Sequence, residues 1–296
     1  MRRNTTLIFF LLVTQFVCYS FYLPKDTLRA WYLHQQAKAL YDSARYNESA
    51  ENYFDAAIAY KKAGFAEKYL NERLLYFNAA RMAGTQIDLN KIASENLAFA
   101  LKKFGEIHPL TADCYNNMGN VMDDYDLIDS ALYYFRKAAS IKLTLYGENN
   151  GGLANCYINI GIMLNQKGLF DSAQYFVGKS LNIKIAEYGE NHPDVAKCYN
   201  TLGVLNFYKG TYEEAEKYFR KSIEIKQSIF GNDHPLTADG YNNLGGALEK
   251  EGKYNDALEA HFKALQIRKN KLHSDHPNIA LSYNNIGIVC SELGEF

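Results

Sequence analysis

A five-residue pattern returns every 42 residues. Tyr115-Asn116-Asn117-Met118-Gly119 recurs as Tyr157-Ile158-Asn159-Ile160-Gly161, Tyr199-Asn200-Thr201-Leu202-Gly203, Tyr241-Asn242-Asn243-Leu244-Gly245 and Tyr283-Asn284-Asn285-Ile286-Gly287. His108-Pro109, His192-Pro193, His234-Pro235 and His276-Pro277 keep the same interval, with Asn150-Gly151 in the missing place. Gly105, Gly147, Gly189 and Gly231 do likewise, and His273 is the departure. A period of this length marks one supersecondary unit that cannot bury its apolar face alone, so neighbouring copies must stack. One closed core is thereby excluded.

Each unit reads as two helices. The first begins just after His-Pro, where a proline suits the opening turn because its missing N–H would have no intrahelical partner. It stops at Gly168, Gly210, Gly252 and Gly294, whose freedom at positive φ ends a helix. Asp126 holds that place in the earlier copy and should be a poorer stop. The second helix follows at once. In one copy Tyr212, Ala215, Phe219 and Ser222 form its apolar or small stripe at i, i+3, i+7 and i+10, and it ends at Gly231. Gly119, Gly161, Gly203, Gly245 and Gly287 fall inside first helices, where glycine costs ~1 kcal/mol relative to alanine. The expected compensation is close approach to Ala131, Ala173, Ala215 and Ala257, twelve residues on.

The earlier chain is degenerate but in phase. Gly84 lies 42 before Asp126, and Ala63 lies 42 before Gly105. Leu28–Ser43 with Asn47–Lys62, and Ala66–Ala83 with Asp88–Phe104, read as two helix pairs. Terminal repeats are atypical because one face must be capped. The domain reading is a leader over 1–20, degenerate helix pairs over 21–106, four regular repeats over 107–274 and an incomplete seventh over 275–296. The last first helix lacks a partner and should expose Tyr283, Ile286, Ile288 and Val289, which suggests a piece of a longer product.

Arg2 and Arg3 precede an apolar run from Leu7 to Val13. That is a charged region followed by a hydrophobic one, too short for a comfortable span of ~20 residues. Cleavage after Ser20 is expected, and with it an exported protein, periplasmic or extracellular. The alternative is a membrane anchor over residues 5–19, the one way a membrane would be a partner.

Tyr241-Asn242-Asn243-Leu244-Gly245, then Gly252-Lys253-Tyr254-Asn255-Asp256-Ala257-Leu258, then Gly231-Asn232-Asp233-His234-Pro235 resemble tetratricopeptide repeats, in particular the 42-residue type of the kinesin light chain. The resemblance covers roughly 27–296 and is strongest from Ile107 onward. It implies an all-α fold, an α-solenoid: a right-handed superhelix of helical hairpins whose first helices line a concave, peptide-binding groove. The leader departs from the cytosolic kinesin light chain, so motor-cargo function does not carry over. Exported arrays of this type resemble the leading part of longer proteins that end in a CHAT-type protease or a signalling domain. A sensor or regulatory part of such a protein, such as a kinase or transcription regulator, is the alternative to a plain scaffold.

Chemistry is sparse. The 32 basic and 33 acidic residues nearly cancel, so no basic face invites nucleic acid. Cys114, Cys156 and Cys198 share one repeat position and should lie too far apart for disulfides, as small buried residues. The repeated histidines form a ladder that cannot converge on one metal ion, and a loop or cap contact at each first helix is expected. His34, His261 and His273 add no ligand spacing. No phosphate loop, nucleophile elbow or zinc signature occurs. The expectation is no enzyme, no metal and no cofactor, with a protein or extended peptide as partner.

Asn116, Asn200, Asn242 and Asn284 stand where, by the resemblance, kinesin light chain touches bound peptide backbone; Ile158 breaks the row. Amides suit that work because each offers donors and an acceptor. The other reading is that they bridge neighbouring first helices. The second asparagines, Asn117, Asn159, Asn243 and Asn285, are expected to be structural. Specificity should come from an acidic end at Asp113, Asn120, Asp123 and Asp124 and an aromatic centre at Phe207 and Tyr208. A partner would then bring a basic residue and an apolar or aromatic anchor.

Overall fold

A computed structural model describes residues 25–274 and 276–294. The expected leader and its cleavage point lie outside the described residues, as do Asp275, Glu295 and Phe296. Among the described residues there are 13 helices, 84% helical content and no strand. They fall into two compact units, up to Tyr125 and from Asp126.

Unit 1 holds α1 (Lys25–Asp42), α2 (Tyr46–Lys62), α3 (Ala66–Ala83), α4 (Leu89–Phe104) and α5 (Pro109–Asp124). The expected pairing is altered here. Helix α2 packs on α3 as closely as on α1, whereas α3 and α4 touch more lightly across the longer link at 84–88. The cause is local. Tight turns at Ala44 and Gly64, both at positive φ, fold α2 back on each neighbour alike. Leu70, Leu74, Ala100, Leu110 and Cys114 then close a core among α3, α4 and α5.

Unit 2 holds α6 (Ile128–Tyr146), α7 (Gly151–Gln166), α8 (Phe170–Tyr188), α9 (Pro193–Lys209), α10 (Tyr212–Phe230), α11 (Pro235–Lys250), α12 (Tyr254–Lys271) and α13 (Pro277–Leu293). Each hairpin turn closes alike. Leu169, Thr211 and Lys253 N–H donate to the carbonyls of Leu164, Asn206 and Leu248, each at 2.9 Å, across a left-handed glycine. Asp126, the predicted poor stop, adopts the same left-handed φ of 57°, and α5 ends at Asp124.

The links from second to first helices show what the histidines do. The Nδ1 atoms of His108, His192, His234 and His276 accept from the backbone N–H two residues on, at 3.1–3.2 Å, and so cap α5, α9, α11 and α13. In three of these links the imidazole also stacks on the aromatic residue ending the preceding helix: Phe104, Tyr188 and Phe230, at 4.2–4.6 Å between centroids. In the copy without histidine, Asn150 Oδ1 accepts from Gly152 and Leu153 and caps α7.

The mid-helix glycines do permit close approach, but chiefly to a different neighbour. A Cβ on Gly161, Gly203 or Gly245 would lie 2.5–2.6 Å from the side chain of Val177, Phe219 or His261, sixteen residues on. The expected contact with the alanine twelve on exists at Gly161, where the Ala173 carbonyl would be 3.2 Å away. A large side chain laid across a bare helix backbone is thus the repeated joint. Gly287 has open space around it, and its sixteenth residue on would fall past the end of the sequence. The expected exposed stripe on α13 is half right: Tyr283 and Ile288 are exposed, but Ile286 and Val289 are buried. Val289 joins the core of α10, α11 and α12, and Ile286 packs with Leu265 and Ile279.

Cys114, Cys156 and Cys198 are buried and are not joined in disulfides among the described residues. Burial, aided by the Asp113 charge, pushes the Cys114 thiol up to about 12, so it is a poor nucleophile. A second ladder is less expected. Lys184, Lys226 and Arg268, 42 apart, are buried cations on the second helices. Lys184 pairs with Asp194 at 2.8 Å, and Arg268 with Asp239 at 2.8 Å, each reaching the following or preceding first helix. Lys226 has Asp239 nearby as its opposing charge, and burial holds its amine below the usual lysine range.

Candidate functional site

Phe207, Tyr208 and Asn242 meet at one cavity of unit 2, with a volume of about 240 Å³. Helix α9 contributes Val204, Phe207 and Tyr208, and α11 contributes Asn242, Asn243, Gly246 and Glu249. These are the first helices of two adjacent repeats. Phe207 stands edge-on to Tyr208 and Tyr212, at 5.8 and 5.5 Å between centroids, which holds its ring upright. The space exists because Gly246 stands at the register that carries Ile162 and Val204 in earlier copies. A Cβ on Gly246 would meet only Phe207, at 3.9 Å.

The cavity's polar side is an amide ladder. Asn243 Nδ2 donates to Asn200 Oδ1 at 3.1 Å, and Asn285 Nδ2 donates to Asn242 Oδ1 at 2.8 Å. The second asparagine of one repeat therefore reaches the first asparagine of the repeat before it, 43 residues back. This is the bridging reading, and it occupies the carbonyl oxygens of Asn200 and Asn242. A bound backbone would address amides already held in line, which is preorganisation. The gap in the row also becomes clear. Ile158 is followed 43 residues later by Thr201, whose hydroxyl donates to the Lys197 carbonyl of its own helix at 3.0 Å. That rung has neither amide.

The floor includes His261, which lies over Gly245 where Phe219 lies over Gly203. It is 1% exposed, and both ring nitrogens lack a hydrogen-bond partner. Burial lowers its pKa from the ordinary 6.5, against the nearby Glu249 charge, so the ring is neutral at physiological pH. Sequence reasoning passed over His261 because it shares no ligand spacing with other histidines. The available signal was its register, which reads Phe135, Val177, Phe219, His261.

The other predicted residues lie elsewhere. Asn284 is exposed on α13 and does not line this cavity, whereas Asn285 does. Asn116, Asn120, Asp123 and Asp124 belong to unit 1, where Asn116 lines that unit's own cavity. The chain's own Arg81 grips Asp124 through two hydrogen bonds, of 2.8 and 2.6 Å. The predicted acidic end is therefore partly neutralised from within. Among the described residues no group of three His, Cys, Asp or Glu is placed to hold a metal ion, and no helix is long and apolar enough to cross a membrane.

The tetratricopeptide-repeat model matches residues 152–228, 199–270 and 236–296. No curated protein matches the chain. Among solved structures, BtubC (BKLC) from P. vanneervenii is similar at 20% identity and a TM-score of 0.61, over 82% of this chain and 94% of that one. A putative kinesin light chain of Podospora anserina with nearly identical repeats is similar at 13% identity and a TM-score of 0.56, over 69% and 97%. The apo form of RapI is similar at 18% identity and a TM-score of 0.65, over 90% and 72%. Repeat pattern, hairpin geometry and these likenesses agree in fold: residues 152–296 are tetratricopeptide repeats, and the described residues have the all-α, solenoid-type fold of the kinesin-light-chain-like structures they resemble.

Proposed function

We propose that the chain is a non-enzymatic scaffold that binds an extended stretch of polypeptide along the first helices of unit 2. The observation that carries this is the cavity between α9 and α11, with an upright aromatic wall at Phe207 and Tyr208 facing a preorganised row of amides. Aromatic and aliphatic anchors in such pockets dominate binding energy, and amides accept any backbone. The partner segment inserts an apolar or aromatic side chain beside Gly246, while its main chain follows Asn200, Asn242 and Asn284.

Selection of a random peptide library on the full chain tests this. Enriched peptides should share a large apolar or aromatic residue. Gly246→Val, which restores the residue type of Val204 and fills the space, should weaken them by about tenfold or more. An absence of enriched peptides, or undiminished binding to that variant, refutes the proposal.

The same reading places the protein outside the cytoplasm, on the strength of Arg2-Arg3 and the run Leu7–Val13. Residues 1–24 fused to a phosphatase that is active only after export should yield active enzyme, and an inactive, stable fusion refutes it.

A further inference from the structure

Unit 1 contains a cavity of about 640 Å³ that the groove of unit 2 does not explain. Its walls include Trp31, Glu72, Leu74, Asp113 and Asn117. Asn117 is 4% exposed, and its Nδ2 has no hydrogen-bond partner. Its counterparts Asn243 and Asn285 donate to an asparagine 43 residues earlier. Forty-three before Asn117 stands Leu74, a hydrocarbon. Where the lower place is hydrocarbon elsewhere, at Ile158, the upper place is Thr201, which bonds within its own helix. Asn117 is thus a donor kept where the stacking register offers it nothing. A buried N–H left unmade costs ~1–3 kcal/mol, and the residue that carries it lines the cavity.

The rest of the wall mixes the amides of Gln35, Asn71 and Asn78 with the carboxyl groups of Glu72 and Asp113 and the ring of Trp31. Glu72 is 5% exposed, and its carboxylate lies 2.9 Å from His34 Nδ1. Burial raises its pKa, partly offset by that hydrogen bond. Asp113 adds a second carboxyl group. The cation of this wall, Lys68, lies 5.3 Å from the ring centroids of both Tyr60 and Phe65.

We propose that this cavity is a separate ligand site for a molecule that carries a carbonyl oxygen beside a protonated amine, the grouping found at the amino terminus of a peptide. The carbonyl accepts from Asn117 Nδ2. The ammonium lies against Glu72 and Asp113, and the adjoining side chain lies on Trp31 and Leu74. The site is independent of the reading given to unit 2.

Three probes titrated into the ¹⁵N-labelled full chain test the proposal. Leucinamide has both groups, N-acetyl-leucinamide has lost the charge, and isoamylamine has lost the carbonyl. Leucinamide should move the side-chain amide resonance of Asn117 and bind about tenfold or more tighter than either other probe. Asn117→Thr, which copies Thr201, should lose about the same factor for leucinamide. Equal binding of the three probes, binding of none, or undiminished binding to Asn117→Thr overturns the proposal. So does a leucinamide shift that appears at Asn242 and not at Asn117. The probe series needs only the unaltered chain and holds whether or not the variant folds.

Discussion

Replacing His261 with phenylalanine should stabilise unit 2. The imidazole is fully buried with two unpartnered nitrogens, one N–H donor and one acceptor in the neutral ring. Each buried group left without its hydrogen bond costs ~1–3 kcal/mol. Phenylalanine removes both demands, and space for it is shown by the chain itself. Phe219 occupies the same register over Gly203, its ring 2.5 Å from where a Cβ would be, as His261 Cε1 is 2.6 Å from one over Gly245. The net gain should be about 2 kcal/mol, read as a rise in Tm of ~4–8 °C for a unit of this size. The pH dependence gives a second readout. Because burial sets the folded pKa below 6.5, the unfolded chain binds the extra proton first as pH falls through 6.5. Stability of the unaltered protein should therefore decline from pH 7.5 to 5.5, and the variant should lose that part of the decline. Thermal melts at both pH values, with amide exchange in α11 and α12, measure the two effects. A variant of native helicity that melts no higher at pH 7.5, or that keeps the full pH slope, would refute the reasoning.

Three more outcomes follow from the joints between helices. Gly203→Ala places a methyl against the Phe219 ring and should cost ~1–3 kcal/mol, with amide protection falling most in α9 and α10; uniform loss across unit 2 would contradict this. His192→Ala should cost ~1 kcal/mol through the lost cap on α9, while His192→Asn should recover most of it, as Asn150 caps α7; denaturant melts that rank the two equally would exclude the capping role. Asn200→Ile alone strands the Asn243 donor and should cost ~1–3 kcal/mol, but adding Asn243→Thr recreates the Ile158/Thr201 rung and should restore most of the loss; additive effects in that double-mutant cycle would show no coupling.

The helices, their stops and the histidine caps were legible because each rests on local backbone chemistry that repeats at one interval. Gly168, Gly210 and Gly252 announce a left-handed residue, and His-Pro announces a helix start. What lay hidden depends on offsets other than 42. The asparagine rungs run 43 back, because the donor is the neighbour of the residue that accepts. The glycine joints run 16 forward, because the residue over the glycine is one turn beyond the small one at twelve. Pairing in unit 1 was hidden for another reason: the turn at Gly64, φ 80°, folds α3 onto α2 as tightly as the turn at Ala44 folds α2 onto α1, while the longer link at 84–88 separates α3 from α4. Phe207, Tyr208 and Asn242 line one cavity because they stand on two successive first helices, α9 and α11. Arg81 on Asp124 was not foreseen, because their separation of 43 joins a degenerate copy to a regular one.

The 43-residue handshake makes the copies of this chain unequal as spare parts. Excising residues 199–240, one whole period, would join the start of α9 to the rest of α11 in helical register yet set Asn243 above Ile158, an amide facing a hydrocarbon. Each seam carries a two-letter password split between neighbours. Removing one period should therefore be tolerated at some seams and penalised at others, although every copy has the same length.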